Sequence, residues 1–499
     1  MARSAELIAR RDQPIVLRFA HGEMQQMREL VFRRYPNLEW ATFAWFGWRE
    51  TDAGEGGGLI ITLASIEPPG PGDLDETVGH VAIDAEYSLR IALAAEKGKL
   101  APAVVHSHPR NCAPVASTID DDMDCYYGRY FADFAPGRPY ISLIFSEIGG
   151  RFVVSGRILW RGEWHMVSTA YEDARALEVW RGYPRTARSG SEPPRSRTAR
   201  LQSAFGEEAT RRLRDATVAV IGAGGTGSAA IEVLARAGVG RLVIVDPDDL
   251  EESNLERVHG STPEAATRRL AKVVVARDHV HSIDPSCEVI GVYGALPQSE
   301  VIDLVTGANV LVCCTDSHSS RLAISDLSVR YLLPAIDCAV TLEGSAGRVR
   351  GQIMQFVRFL PKDPCALCHE MTIPWRVAQE LMSDEEKQQR RAAANDAAVR
   401  GEAGEGYWRD VPQLDTVGYL TTSAGALVAG YAIGWITGRF EPPFTRLQMN
   451  LVAPFFDVTD AMIEPRRDCS CTQVRGWADQ ASADAYVSAP SHWPPPVLL

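Results

Sequence analysis

The chain of 499 residues has no apolar run close to the roughly 18–20 residues that a membrane helix needs. The nearest stretch, 424–436, is short and is interrupted by Gly425, Gly430 and Gly434, so no membrane span is expected. Positive charge is not in excess: 51 Lys and Arg face 64 Asp and Glu, a net −13. That balance argues against general nucleic-acid binding and leaves only a local basic pocket for a nucleotide. Ten cysteines are too few for a disulfide scaffold in a chain of this length; they suit core positions, metal ligands or nucleophiles in a reducing compartment. Residues 1–12 lack the apolar stretch of a secretory signal, and a cytoplasmic location is expected. A hydrophobic share of 45% with 23% charged residues excludes global disorder. The length predicts two or more domains.

Residues 183–199, rich in Pro, Ser, Gly and Arg, read as a linker. Before it, helical spacing over 23–34 and short apolar runs at 40–48, 59–66, 103–106 and 141–145 predict a mixed α+β domain over 1–182. After it, strands at 217–221, 241–245 and 310–314 alternate with helices at 206–213, 228–237 and 268–280. That alternation predicts a doubly wound α/β domain with a parallel, Rossmann-like sheet over 200–480. Residues 481–499, with Pro494, Pro495 and Pro496, read as a tail that is frayed or docked.

The first chemical motif is His106-Ser107-His108-Pro109, followed by Ser117 and Asp120. Residues two apart on a strand share a face, so both imidazoles can converge on one ion. Asp120 adds an oxygen ligand and leaves a fourth position for water, as a catalytic zinc site requires. Such a metal lowers the pKa of its water towards about 7 and polarises a carbonyl, and the Ser117 hydroxyl can hold an oxyanion. An isolated H-x-H is otherwise a surface pair near a turn. The full set, H-x-H-P then S-x-x-D, resembles the JAMM (JAB/MPN) metallopeptidase signature over residues 15–165, with one extra residue between His108 and Ser117. That resemblance implies a general acid/base glutamate after the first helix; Glu39 fits that place, with Glu50 and Glu67 as alternatives. It also implies cleavage of peptide or isopeptide bonds at the C-terminus of ubiquitin-like proteins. Cys112 and Cys125 lack ligand spacing.

The second motif is a strand ending in Gly222-Ala223-Gly224-Gly225-Thr226-Gly227. Glycines let the backbone approach phosphates, and the following helix N-terminus favours an anion. Asp246 ends the next strand, where a carboxylate commonly holds a ribose hydroxyl. The segment 246–257 then resembles the D-x-D-x-x-x-x-S-N-L-x-R signature of ThiF-like adenylating enzymes, the superfamily of ubiquitin-activating enzymes. The resemblance places Asp246 on the ribose of ATP, Asn254, Arg257 and Lys272 on its phosphates and Asp316 on magnesium. Arg200, with Arg197 as its neighbour, matches an arginine donated to the partner subunit's ATP site, and a homodimer is implied. Together these groups suit attack of a carboxylate on the α-phosphate.

Cys365 and Cys368, paired with Cys469 and Cys471, fit a structural zinc. Between His369 and Asp468 there is no cysteine, the region where ubiquitin-activating enzymes usually carry their thioester. Cys313, Cys314 and Cys338 read as core residues, with Cys338 the best remaining nucleophile; a hydroxyl within 372–423 would give an ester instead. The polar stretch 382–406 reads as a solvated helix and loop. The expected protein is bifunctional: a zinc (iso)peptidase and an ATP-dependent adenylating enzyme, both acting on a ubiquitin-like protein with a C-terminal glycine, with a conjugating enzyme as a further partner. Sulfur-carrier processing and activation is one alternative, and a non-enzymatic scaffold with decayed sites another.

Overall fold

The computed structural model describes residues 14–33, 38–51, 57–77, 80–180, 196–345, 347–401, 403, 406, 408–410, 416–452 and 457–499. Most of the expected linker, 183–195, lies outside these residues; from Ser196 the chain is helical, through a short turn into Ala199–Phe205.

The first half folds around a ten-stranded mixed sheet in which Gly58–Glu67, Ala41–Thr51, Ala101–Ser107, Tyr140–Ile148 and Arg151–Trp160 lie side by side. Alternation along Ala41–Thr51 explains the layers. Ala44 and Phe46 point to one face, where Met24, Met27 and Val31 of the helix Glu23–Val31 close a core. Phe43 and Trp45 point to the other, against Tyr87 and Ile91 of Ala85–Lys97 and Tyr127 and Phe131 of Thr118–Phe134. Each sheet face thus buries its own period-two set of side chains.

The second half holds a nine-stranded sheet. Its parallel centre runs Ala335–Ser345, Val310–Cys313, Thr217–Ile221, Arg241–Val245, Glu288–Tyr293. The first strand in sequence, Thr217–Ile221, is central, with the second on one side and the fourth on the other. Its C-terminal end is therefore the switch point where open α/β sheets bind ligands. Helix Gly418–Thr437 packs on Gly225–Ala237, bringing Leu420, Ala424, Val428 and Ala432 into the core.

Several boundaries differ from the sequence reading. The apolar stretch at 424–436 is part of a 20-residue helix, long and apolar enough by composition to cross a membrane, yet 67% of its most apolar window is buried inside the protein; it is a core helix. The tail is docked: Val497–Leu498 pairs antiparallel with Glu288–Tyr293 at the sheet edge. Helix Lys272–Ile283 begins at Lys272 instead of enclosing it, and the glycine helix begins at Gly225, three residues earlier than expected.

The halves meet through polar contacts. Arg18, fully buried, donates to the carbonyls of Thr306 (3.2 Å) and Ala308 (2.6 Å). The Gly476 carbonyl accepts from Gly47 N (3.2 Å) and Thr62 Oγ1 (2.8 Å). Arg49 pairs with Asp303 and with Asp479.

Candidate active sites and metal centres

His106 and His108 sit at the end of strand Ala101–Ser107, and Asp120 in the first turn of helix Thr118–Phe134. Their ligand atoms lie within 4.8 Å of one another. Between the two histidines, Ser107 points the other way: its hydroxyl donates to Val31 O (2.6 Å) and accepts from Trp40 N (3.1 Å). That stitch fixes the backbone next to Glu39; burial lowers the basicity of His108, but Asp120, the Ala113 carbonyl and, least, the charge of Glu39 raise it on balance. Glu50 binds Trp160 Nε1 (2.9 Å) and Arg161, and Glu67 binds Trp45 Nε1 (3.0 Å).

Ser117 is the N-cap of the helix. Its hydroxyl accepts from Asp120 N (3.2 Å), while the Asp120 carboxylate accepts from Ser117 N (2.6 Å), a reciprocal capping box. The residue expected to hold an oxyanion is thus the helix cap, and its backbone amide holds the Asp120 carboxylate.

The donor set fits a cation. His108 Nδ1 lies 3.1 Å from the Ala113 carbonyl; donating there puts the lone pair on Nε2, 3.4 Å from Asp120. A lone pair facing a carboxylate oxygen is repulsive unless a proton or a metal cation lies between them, so the geometry suits an imidazolium–carboxylate pair or a metal site alike. His106 Nε2 is buried 3.1 Å from the same carboxylate without hydrogen-bond geometry. Burial pushes the Asp120 carboxyl up, but His106 and His108 outweigh it and hold it well below the usual carboxylate range.

The glycine turn occupies the switch point. Gly222 has φ +96, and a Cβ there would lie 2.7 Å from the Cys314 carbonyl oxygen, so only glycine lets the two strand ends close. A Cβ at Gly224 would meet nothing within 4 Å, leaving that backbone open to a phosphate. Gly225 backs onto Thr421 Oγ1 and the Arg257 side chain, and Gly227 packs on the Gly222 carbonyl.

Asp246 accepts from Ala223 N (2.6 Å) and Asp248 N (2.9 Å). Burial pushes its pKa up to about 6, although the charge of Lys272 works the other way. Lys272 Nζ pairs with Asp248 at 2.7 Å; burial opposes its charge, but Asp246, Asp248 and the nearby Asp316 outweigh it. Asp316 is exposed before the N-cap Ser317 of helix His318–Tyr331. Arg257 Nη1 donates to Ser253 O (2.9 Å). Asn254 is buried, and its carboxamide oxygen accepts from Glu251 N (3.1 Å), closing the local turn. Arg197 and Arg200 are both exposed, and Arg197 is held by Asp284 and two carbonyls.

Cys365, Cys368, Cys469 and Cys471 are buried together, with Sγ separations of 3.8 Å (365–368), 3.5 Å (365–469) and 3.8 Å (368–471). A tetrahedron with zinc–sulfur bonds of about 2.3 Å has edges of about 3.8 Å, so the set fits zinc. The turn Ser470–Thr472 brings both members of the C-x-C pair to one point. Cys338 is buried in the sheet, as expected of a core residue, and burial pushes its thiol well up, as at Cys313 and Cys314, which leaves it unsuited to the alternative role of nucleophile.

The sequence reading did not find a cluster beside the glycine helix: Glu232, His259, His279 and Thr422. Its members come from segments up to 190 residues apart in the numbering, and the proximity of His259 to Arg257 was the one local signal.

The ThiF family is matched over residues 196–473. Among curated proteins, the chain is 31% identical over 134 residues to the sulfur carrier protein ThiS adenylyltransferase of Bacillus subtilis, covering 27% of this chain and 40% of that protein. It is 34% identical over 166 residues to the molybdopterin-synthase adenylyltransferase of Salmonella typhimurium, covering 33% of this chain and 62% of that protein. It thus spans less than two thirds of either relative. Among solved structures, E. coli MccB with ATP aligns with 56% of this chain and 74% of its own, at TM-score 0.42 and 18% identity.

Proposed function

Because this chain belongs to the ThiF family, we propose that its second half adenylates the C-terminal glycine carboxylate of a small sulfur-carrier-like or ubiquitin-like protein, using ATP. The observation that carries this reading is the ring of Asp246, Lys272, Arg257 and Asp316 around the open glycine turn at the switch point. Gly224 and the N-terminus of Gly225–Ala237 receive phosphate oxygens, Asp246 accepts from the ribose, and Lys272 and Arg257 neutralise charge as the carboxylate attacks the α-phosphate and pyrophosphate leaves. Asp316 would hold magnesium, which supplies further charge neutralisation at the phosphates. Arg200 reaches the site of a second copy in a homodimer.

Sulfur-carrier activation is favoured over a thioester relay on this chain. Cys313 and Cys338 are buried and Cys314 is half-buried, all three with raised thiol pKa, and no cysteine lies between His369 and Asp468. A conjugating-enzyme partner then takes the acyl group only if it supplies its own nucleophile.

For the first half we propose a zinc peptidase that trims or releases the same small protein. The observation in its favour is the convergence of His106, His108 and Asp120 beside Glu39. Zinc held there would polarise the scissile carbonyl. Glu39 moves the proton from the attacking water to the leaving amine, and the N-cap at Ser117 keeps Asp120 aimed.

The test is ATP–pyrophosphate exchange dependent on a sulfur-carrier or ubiquitin-like protein ending in glycine. Asp316→Ala is expected to lower it by about 100-fold or more. Exchange unchanged by that substitution overturns the nucleotide assignment.

A further inference from the structure

We propose that Thr422 is a hydroxyl nucleophile that takes the acyl group from the adenylate as an oxyester on this chain, with His259 as its general base and Glu232 as the positioning residue. The inference rests on the adenylation reading above.

Three side chains form one relay. Glu232 Oε2 lies 2.7 Å from His259 Nδ1, and His259 Nε2 lies 2.9 Å from Thr422 Oγ1. The direction of the relay follows from the groups themselves. His279 Nε2 (3.1 Å) and Arg236 (2.7 Å) also bind Glu232; burial raises its carboxyl, but these partners and His259 bring it down to about 2. An ionised carboxylate only accepts, so His259 Nδ1 carries the proton that points at Glu232. In the neutral ring Nε2 then holds the lone pair, and the Thr422 hydroxyl donates to it. This is the carboxylate–imidazole–hydroxyl order that activates an alcohol.

Neighbouring hydroxyls on the same helix are used differently. Thr421 donates to Gly418 O (3.1 Å) and Ser423 to Tyr419 O (2.8 Å), ordinary back-bonding within a helix. The relay also adjoins the nucleotide groups. Thr421 backs onto Gly225 beside Arg257, His259 is two residues beyond Arg257, and His259 N donates to Ser228 Oγ (3.0 Å) on the glycine helix. The helix is tied to the same segment by Gly418 N donating to Glu256 (2.6 Å). Thr422 and His259 both stay partly exposed, so an acyl group can reach them.

In the step, Thr422 Oγ bonds to the acyl carbon while the bond from that carbon to the phosphate oxygen breaks. AMP leaves with the electron pair, and the Thr422 proton passes to His259 Nε2. The arrangement supplies on this chain the nucleophile that its cysteines do not.

The experiment incubates the full chain with ATP, magnesium and glycine-terminated probes, the sulfur carrier ThiS and ubiquitin, and reads exchange and adduct separately. In a reaction that shows pyrophosphate exchange, the expected result is an adduct that resists dithiothreitol, is cleaved by hydroxylamine, and maps by mass spectrometry to Thr422. Thr422→Val loses it, Thr422→Ser keeps it, and His259→Ala slows its formation by about 100-fold or more, with all three variants melting as the parent does. Exchange without an adduct, or an adduct that is thiol-labile or survives Thr422→Val, overturns the proposal and leaves adenylation standing. No exchange with either probe removes the adenylation reading and this step with it.

Discussion

Two buried carboxylates, one in each half, respond to burial in opposite ways. Asp120 is 7% exposed and Asp246 is 4% exposed, and removal from water pushes both carboxyls up. At Asp120 two imidazoles converge and hold the group well below the usual range. At Asp246 the charge of Lys272, whose ion pair is with Asp248, offsets burial only in part, and the carboxyl stands at about 6. The difference separates two kinds of site. A carboxylate kept anionic between two imidazoles can serve a cation, whereas one held by two backbone amides can accept from a neutral hydroxyl.

The largest expected effect comes from removing one of the imidazoles. His108→Ala takes away a ligand outright, which should weaken zinc binding by more than the 10–100-fold that losing an outer partner costs. Elemental analysis is expected to show zinc falling from two per chain to one. The remaining zinc belongs to the four cysteines, so Cys471→Ser should lower the count as well, but with loss of fold stability. Two zinc atoms retained in the His108 variant would break the contrast between Asp120 and Asp246.

Asp246 gives the next largest effect. Its folded pKa of about 6 stands above the ordinary 3.8. Between those pH values the folded chain holds the proton and the unfolded chain does not, so stability falls as pH rises through that window. About two pH units correspond to a loss of about 3 kcal/mol. Asp246→Asn cannot ionise, and its stability curve from denaturant melts should lack that fall. A parent and variant with parallel curves from pH 4 to 6 would show that the charge of Lys272 cancels the effect of burial at Asp246.

How much of this was legible in the sequence depended on chain separation. Strands 217–221 and 241–245 were readable residue for residue, because fully buried β-branched runs bounded by turn signals have few alternatives. The H-x-H spacing showed both imidazoles on one face because strand periodicity is local. Ser117 and Asp120 carried two meanings in one spacing: S-x-x-D is both a metal-site pattern and a helix N-terminus, and the structure shows the second as a capping box. Burial was legible only in part. Cys338 reads as a core residue and is one, but Arg18 gave no sign that it would reach carbonyls at Thr306 and Ala308. Nothing in the sequence places Thr422 against His259, because that contact exists only once helix Gly418–Thr437 lies along Gly225–Ala237.

The smallest expected effect is also the most discriminating. Ser117→Ala removes a helix cap, which costs about 1 kcal/mol in many helices, a loss that thermal melting of the full chain can resolve. If Ser117 acts only as a cap, zinc affinity at the first site is unchanged. If the cap also matters for Asp120, whose carboxylate accepts from Ser117 N while its own backbone amide donates to the Ser117 hydroxyl, loosening the first turn should lower zinc affinity by up to about 10-fold while Asp246 and ATP–pyrophosphate exchange do not respond. A fall in zinc affinity with unchanged exchange ties the low pKa of Asp120 to its geometry in the first half alone, and an equal loss of both would mean that the cap supports the whole chain and the two carboxylates are not independent.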